Sequence, residues 1–204
     1  MSEKAMSRDS RIHSMGGFSR KQALGTKGLT LAGMLGALSI VLGMTPIGFI
    51  PLPTGIQATT MHIPTIMAAI LGGPITGVLV GLIFGVSSFL RATTPFFANP
   101  IIAILPRLLI GVVSYYSYVA IKVALIDKFK MKSTKGKSIA IVGASVLGTA
   151  TNTIGVLSLI YAFGYLPLSV VLTVAATNGT AEMIASGVII LAVLKSLEKS
   201  RLFN

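Results

Sequence analysis

The stretch Gly28–Leu90, GLTLAGMLGALSIVLGMTPIGFIPLPTGIQATTMHIPTIMAAILGGPITGVLVGLIFGVSSFL, holds no Asp, Glu, Lys or Arg over 63 residues. His62 is its one ionisable side chain. A spanning helix needs about 20 apolar residues, so the stretch is long enough for three membrane passes. A second charge-free run, Ser138–Ala181, is 44 residues long and holds roughly two more on the same arithmetic. The 204-residue chain is 53% hydrophobic and 11% charged, a composition of the membrane class. It has no cysteine, which excludes disulfides, thiolate catalysis and cysteine-based metal sites.

Turn signals divide the runs. The first span reads as Gly28–Met44, after which Pro46, Pro51 and Pro53 break any helix. The loop 45–57 that follows is uncharged and rich in Ile, Phe, Leu and Pro. A short second span, Ala58–Leu71, ends at the turn Gly72-Gly73-Pro74. The remaining spans are Ile75–Leu90, Ile101–Ile126, Ser138–Phe163 and Leu168–Leu194, joined by the loops 91–100, 127–137 and 164–167. The expected fold is an all-α integral membrane protein, a compact bundle of six transmembrane helices. Residues 28–194 form the membrane domain, between basic tails at 1–27 and 195–204.

Charge sets the orientation. The net charge is +12, and 15 of the 17 basic residues fall in three clusters: before Gly28, at Lys122–Lys137, and at Lys195–Arg201. Cytoplasmic loops concentrate Lys and Arg, so both termini and the 127–137 loop are expected in the cytoplasm. The three opposite loops carry one charge, Arg91. Nucleic acid binding would instead want basic residues interleaved with aromatics on one surface. The first 27 residues lack the apolar core of a signal peptide and read as a cytoplasmic tail with an interfacial helix near Phe18–Leu24. Tyr115, Tyr116 and Tyr118 read as an interfacial aromatic belt.

Small residues recur at four-residue spacing: Ala32/Gly36 and Gly33/Ala37 in the first span, Gly77/Gly81/Gly85 in the third, Ala175/Gly179 in the sixth. Such pairs let helix backbones approach closely in lipid, and the later ones are expected to pack within the bundle. The polar exceptions are Arg107 in the fourth span, Asn152 in the fifth, Asn178 and Glu182 one turn apart in the sixth, and His62 near the end of the second. A charge at bilayer depth costs about 2.5–3.5 kcal/mol and normally faces an interior. Arg107 and Glu182 either pair with each other or nearby amides to hold the bundle, or join Asn152 and Asn178 in lining a polar pocket for a small ligand. His62 alone fits a satisfied helix-end histidine or a ligand contact. Arg91 fits an interfacial snorkelling residue or a docking charge for an anionic solute. No nucleophile–base arrangement is visible, and Gly136-Lys137-Ser138 lacks the earlier glycine of a phosphate loop, so this chain is not expected to hydrolyse ATP.

Five stretches carry a resemblance: Thr45-Pro-Ile-Gly-Phe-Ile-Pro-Leu-Pro53, Thr60-Met-His-Ile-Pro64 with Leu71-Gly-Gly-Pro74, Pro106-Arg-Leu-Leu-Ile-Gly111, Asn152-Thr-Ile-Gly155 and Asn178-Gly-Thr-Ala-Glu182. In this order and spacing the chain resembles the substrate-binding S components of energy-coupling factor (ECF) vitamin transporters, most of all the pantothenate type. The resemblance implies a non-enzymatic, cofactor-free subunit of a prokaryotic plasma membrane. It would bind a B-type vitamin from outside and work with a transmembrane T component and two ATPases that bind the ATP. It also implies toppling in the membrane to release substrate. The family's docking motif on the first helix maps onto Ala32/Gly36 or Gly33/Ala37, and either Ala32 or Gly33 changed to Trp is expected to spare binding and abolish uptake. The family's site maps onto Phe49–Leu52, Arg107, Asn152, Asn178 and Glu182, with Arg91 and His62 beside them. A pantothenate carboxylate would pair with Arg91 or Arg107. The absence of Trp argues against flat cationic thiamine. Riboflavin, folate and pyrimidine or pyridoxine precursors remain alternatives, as does a stand-alone channel or carrier.

Overall fold

The computed structural model describes residues 25–51, 57–92 and 94–199. The helix expected near Phe18–Leu24, and Leu52 of the first loop, lie outside them. Helix α1 spans Thr26–Met44. A 3₁₀ turn at Pro46–Gly48 then leads into a strand, β1 (Phe49–Pro51), which pairs antiparallel with β2 (Gln57–Thr59) in the register Phe49↔Thr59. The fold is therefore not strictly all-α. Prolines forbid a helix here, and two extended segments satisfy each other's backbone groups instead.

Helix α2 is Ile63–Gly72, only ten residues. The expected second span began at Ala58, but that residue belongs to β2. At 1.5 Å per residue α2 is about 15 Å long, half the hydrocarbon thickness. Eight of its ten residues are buried, and it touches each of the long helices. It is the axis of the bundle rather than a lipid-facing span. Gly73, at φ +89°, takes a backbone conformation that L side chains avoid, and Pro74 opens α3 (Pro74–Arg91).

Asn99 caps α4 (Pro100–Val123), its side-chain oxygen accepting from the Ile101 N–H at 3.0 Å. A π-helical turn at Ala124–Lys128 extends α4. Helix α5 (Ser133–Ala162) begins five residues before the expected Ser138 and takes in half of the lysine-rich loop. The last span is α6 (Leu168–Val174), a π-helical turn at Ala175–Gly179, and α7 (Thr180–Lys199). Among the described residues five helices are long and apolar enough to cross a membrane: Thr26–Met44, Pro74–Arg91, Pro100–Lys128, Ser133–Ala162 and Leu168–Lys199.

The glycines of α3 form the expected internal seam. A Cβ on Gly77 would lie 3.0 Å from the Gly111 Cα, one on Gly85 2.9 Å from the Ile104 Cα, and one on Gly81 would strike the backbone of Arg107. Helices α3 and α4 thus meet backbone to backbone. On α1 the two small pairs point apart. Ala32 and Gly36 are buried, Gly36 against Ile83, whereas Gly33 and Ala37 are exposed, with open space around Gly33.

Candidate functional site

Arg107 sits where the two apolar cores of the bundle meet. Phe84 belongs to the core around Ile66 and Ile110, and Phe97 packs on the core around Ile102 and Ile160. The guanidinium carbon lies 5.3 Å from the Phe84 ring centre and 4.9 Å from that of Phe97, within cation–π range of both. The local sequence explains this placement. Pro106 has no N–H, so the Ile102 carbonyl four residues earlier loses its helical donor. Arg107 Nη1 donates to that carbonyl at 2.7 Å. Gly155 on α5 leaves room for the Pro106 ring.

Arg107 is only 4% exposed, and its Nε has no protein partner. No acidic side chain lies within salt-bridge distance: the ion pair among the described residues is Lys137–Glu198, at 3.2 Å near the lysine-rich end. Arg107 does lie within electrostatic range of Glu182 and His62. Glu182 is engaged elsewhere. Its Oε1 accepts from both the N–H and the hydroxyl of Thr59, at 2.7 and 3.0 Å, and its Oε2 accepts from the Thr153 hydroxyl at 3.4 Å. Direct pairing of Arg107 with Glu182, one arrangement the sequence allowed, is not formed.

Asn152 and Asn178 are both 7% exposed. The Asn152 Oδ1 has no partner in the protein. The Asn178 Oδ1 accepts from the Thr177 hydroxyl at 3.3 Å, inside the π-helical turn. Phe49 is half-buried on β1. His62 is fully buried at the start of α2, its Nε2 3.0 Å from the Thr149 hydroxyl, which is 2.8 Å from that of Ser186. A polar chain thus ties α2 to α5 and α7. Arg91 lies apart from this cluster. It donates to the carbonyls of Gly43 and Ser87 and to the Met61 sulfur, placing a cation at the C-terminal ends of α1 and α3, where helix dipoles favour one. An apolar groove of about 560 Å³ between α1 and α3, lined by Ile40, Met44, Leu82, Val86, Leu90 and Arg91 among others, is separate from the polar cluster.

Sequence reasoning did not single out Thr59, Thr153, Thr149, Ser186, Phe84 or Phe97. The one available signal was Pro106 immediately before Arg107, which leaves a carbonyl open for a neighbouring donor. Among the described residues no group of three or more His, Asp or Glu side chains could hold a metal ion. The arrangement holds a buried cation with an unpartnered Nε donor and a buried amide with an unpartnered acceptor, chemistry suited to a small anionic solute carrying hydrogen-bonding groups.

Five membrane-length apolar helices around a buried polar cluster define a multi-pass membrane protein. Residues 27–194 match the family model of the ECF transporter substrate-specific component, and the chain belongs to that family of membrane transport subunits. It is 29% identical over 174 residues to the pantothenic acid transporter PanT of Lactococcus lactis subsp. cremoris (strain MG1363), covering 73% of this chain and 82% of the relative.

Proposed function

We propose that this chain is the S component of an ATP-driven vitamin importer and that its substrate is pantothenate, bound from outside and passed inward with a T component and two ATPases. Arg107 carries this reading. A buried guanidinium without a paired anion is costly, and a ligand carboxylate at its Nε edge removes that cost. Similarity to a pantothenic acid transporter supports the same choice. In this reading Asn152 and Asn178 bind the amide and hydroxyls of the ligand, and Phe49 covers it. Arg91 and Glu182, whose polar atoms already bond protein groups, hold the surrounding frame together with His62, whose Nε2 contacts the Thr149 hydroxyl while its Nδ1 has no protein partner. Six segments cross or enter the prokaryotic plasma membrane, with the termini and the lysine-rich end cytoplasmic. The chain itself has no enzymatic activity. The exposed pair Gly33/Ala37, rather than the buried Ala32/Gly36, is the docking stripe for the T component.

The test is binding of labelled pantothenate, riboflavin, folate and pyridoxine to the detergent-purified protein. Saturable pantothenate binding is expected, unaffected by the other three. Binding of another vitamin in its place would reassign the substrate, and binding of none would end the transport reading.

A further inference from the structure

We infer that Glu182 is a positioning residue that latches the β-ribbon to the last span and so sets how slowly ligand leaves. The inference rests on the S-component reading for its ligand but not for its geometry. Three observations carry it. First, Glu182 is 7% exposed, and its oxygens are committed to Thr59 and Thr153. Second, Thr59 is the last residue of β2 and pairs with Phe49 of β1, while Thr60 donates through its N–H and hydroxyl to the Gly48 carbonyl, at 2.9 and 3.2 Å. A pull on Thr59 is therefore transmitted to both strands and to the 3₁₀ turn. Third, β2 packs on the π-helical turn at Ala175–Gly179 and on α7, and its Thr59 bonds this carboxylate through both its N–H and its hydroxyl.

Charge-assisted hydrogen bonds are about twice as strong as neutral ones, and one carboxylate here accepts two from a single residue. The same carboxylate takes Thr153 from α5, so it joins ribbon, α5 and α7 at one point. This is a role in holding the ribbon against the bundle, distinct from contact with ligand. It predicts a change in dissociation rate with little change in association rate.

The chain has no cysteine, so a cysteine pair introduced at Ile47 and Tyr165, both exposed, can carry spin labels that report the distance from the 3₁₀ turn bonded to the ribbon to the bundle. In the ligand-free protein, Glu182→Ala is expected to lengthen or broaden that distance distribution. Glu182→Gln should be intermediate, since its amide oxygen still accepts from Thr59. Thr59→Val should act in the same direction, and the Glu182→Ala/Thr59→Val double variant should add little to Glu182→Ala alone. With labelled pantothenate, Glu182→Ala should dissociate about tenfold faster or more, with its association rate within about twofold of the parent. An unchanged distance distribution in both single variants overturns the latch, as does a loss of affinity that falls on the association rate. Failure of the parent protein to bind any vitamin would overturn the transport reading alone, because the spin-label distances decide the latch without ligand. If Glu182→Ala does not fold, the distances in Glu182→Gln and Thr59→Val decide between latch and no latch.

Discussion

Pro106 and Arg107 act as a unit, the first opening a carbonyl and the second filling it. Pro106→Ala restores an N–H that competes for the Ile102 carbonyl, and the guanidinium loses its tether. Pantothenate affinity is expected to fall about tenfold with circular dichroism unchanged, measured by equilibrium binding. Arg107→Ala should weaken binding about 10- to 100-fold. Arg107→Lys should recover only part of that, because a point charge cannot stack between Phe84 and Phe97 and present an open donor edge at once. Arg107 was legible in the sequence because a charge inside an apolar span has few reasons to be there. Its cage was not, since Phe84 and Phe97 lie on α3 and on the 3₁₀ turn at Pro95–Ala98, and nothing local marks them as partners. The threonines around Glu182 were equally silent, because threonine in a membrane helix commonly bonds its own preceding turn.

The elements show where hydropathy reading succeeds and where it stops. Helices α1, α3, α4 and α5 and the last span agree with their expected spans to within about five residues, because lipid imposes a minimum apolar length. Helix α2 broke the pattern. A half-length helix buried on every side is as apolar as a spanning one, and periodicity alone does not separate them. On α1, sequence spacing gave two small-residue pairs, and burial separates them. Gly33→Trp is therefore expected to abolish uptake in cells while leaving pantothenate binding intact. Ala32→Trp places an indole in the core, where Ala32 is 2% exposed, so it should lower the melting temperature and lose binding as well. The α3–α4 seam is equally sensitive. Gly77→Ala brings a methyl group to about 3 Å from backbone on both sides and should cost about 1–3 kcal/mol, read as a lower melting temperature.

For the whole molecule, the charge pattern makes a sidedness prediction. A single cysteine at Ile47 should react with an impermeant maleimide from outside intact cells, and one at Lys130 only after the cytoplasmic side is opened. Reversed labelling would invert the proposed orientation. The five long helices also differ in height. Helices α1 and α3 have 19 and 18 residues, about 28 Å, close to the hydrocarbon thickness. The stretches Pro100–Lys128, Ser133–Ala162 and Leu168–Lys199 have 29, 30 and 32 residues, about 45 Å each. Leaning the molecule shortens what each helix presents along the membrane normal. The tall helices can lean by roughly 45° and still fill a 30 Å slab, while α1 and α3 fall short as soon as they leave the upright. Hydrophobic mismatch on tilting is thus concentrated on the flank that carries Gly33 and Ala37. A protein surface covering that flank would replace the lipid that resists, and the bilayer would then hold the molecule upright far less firmly.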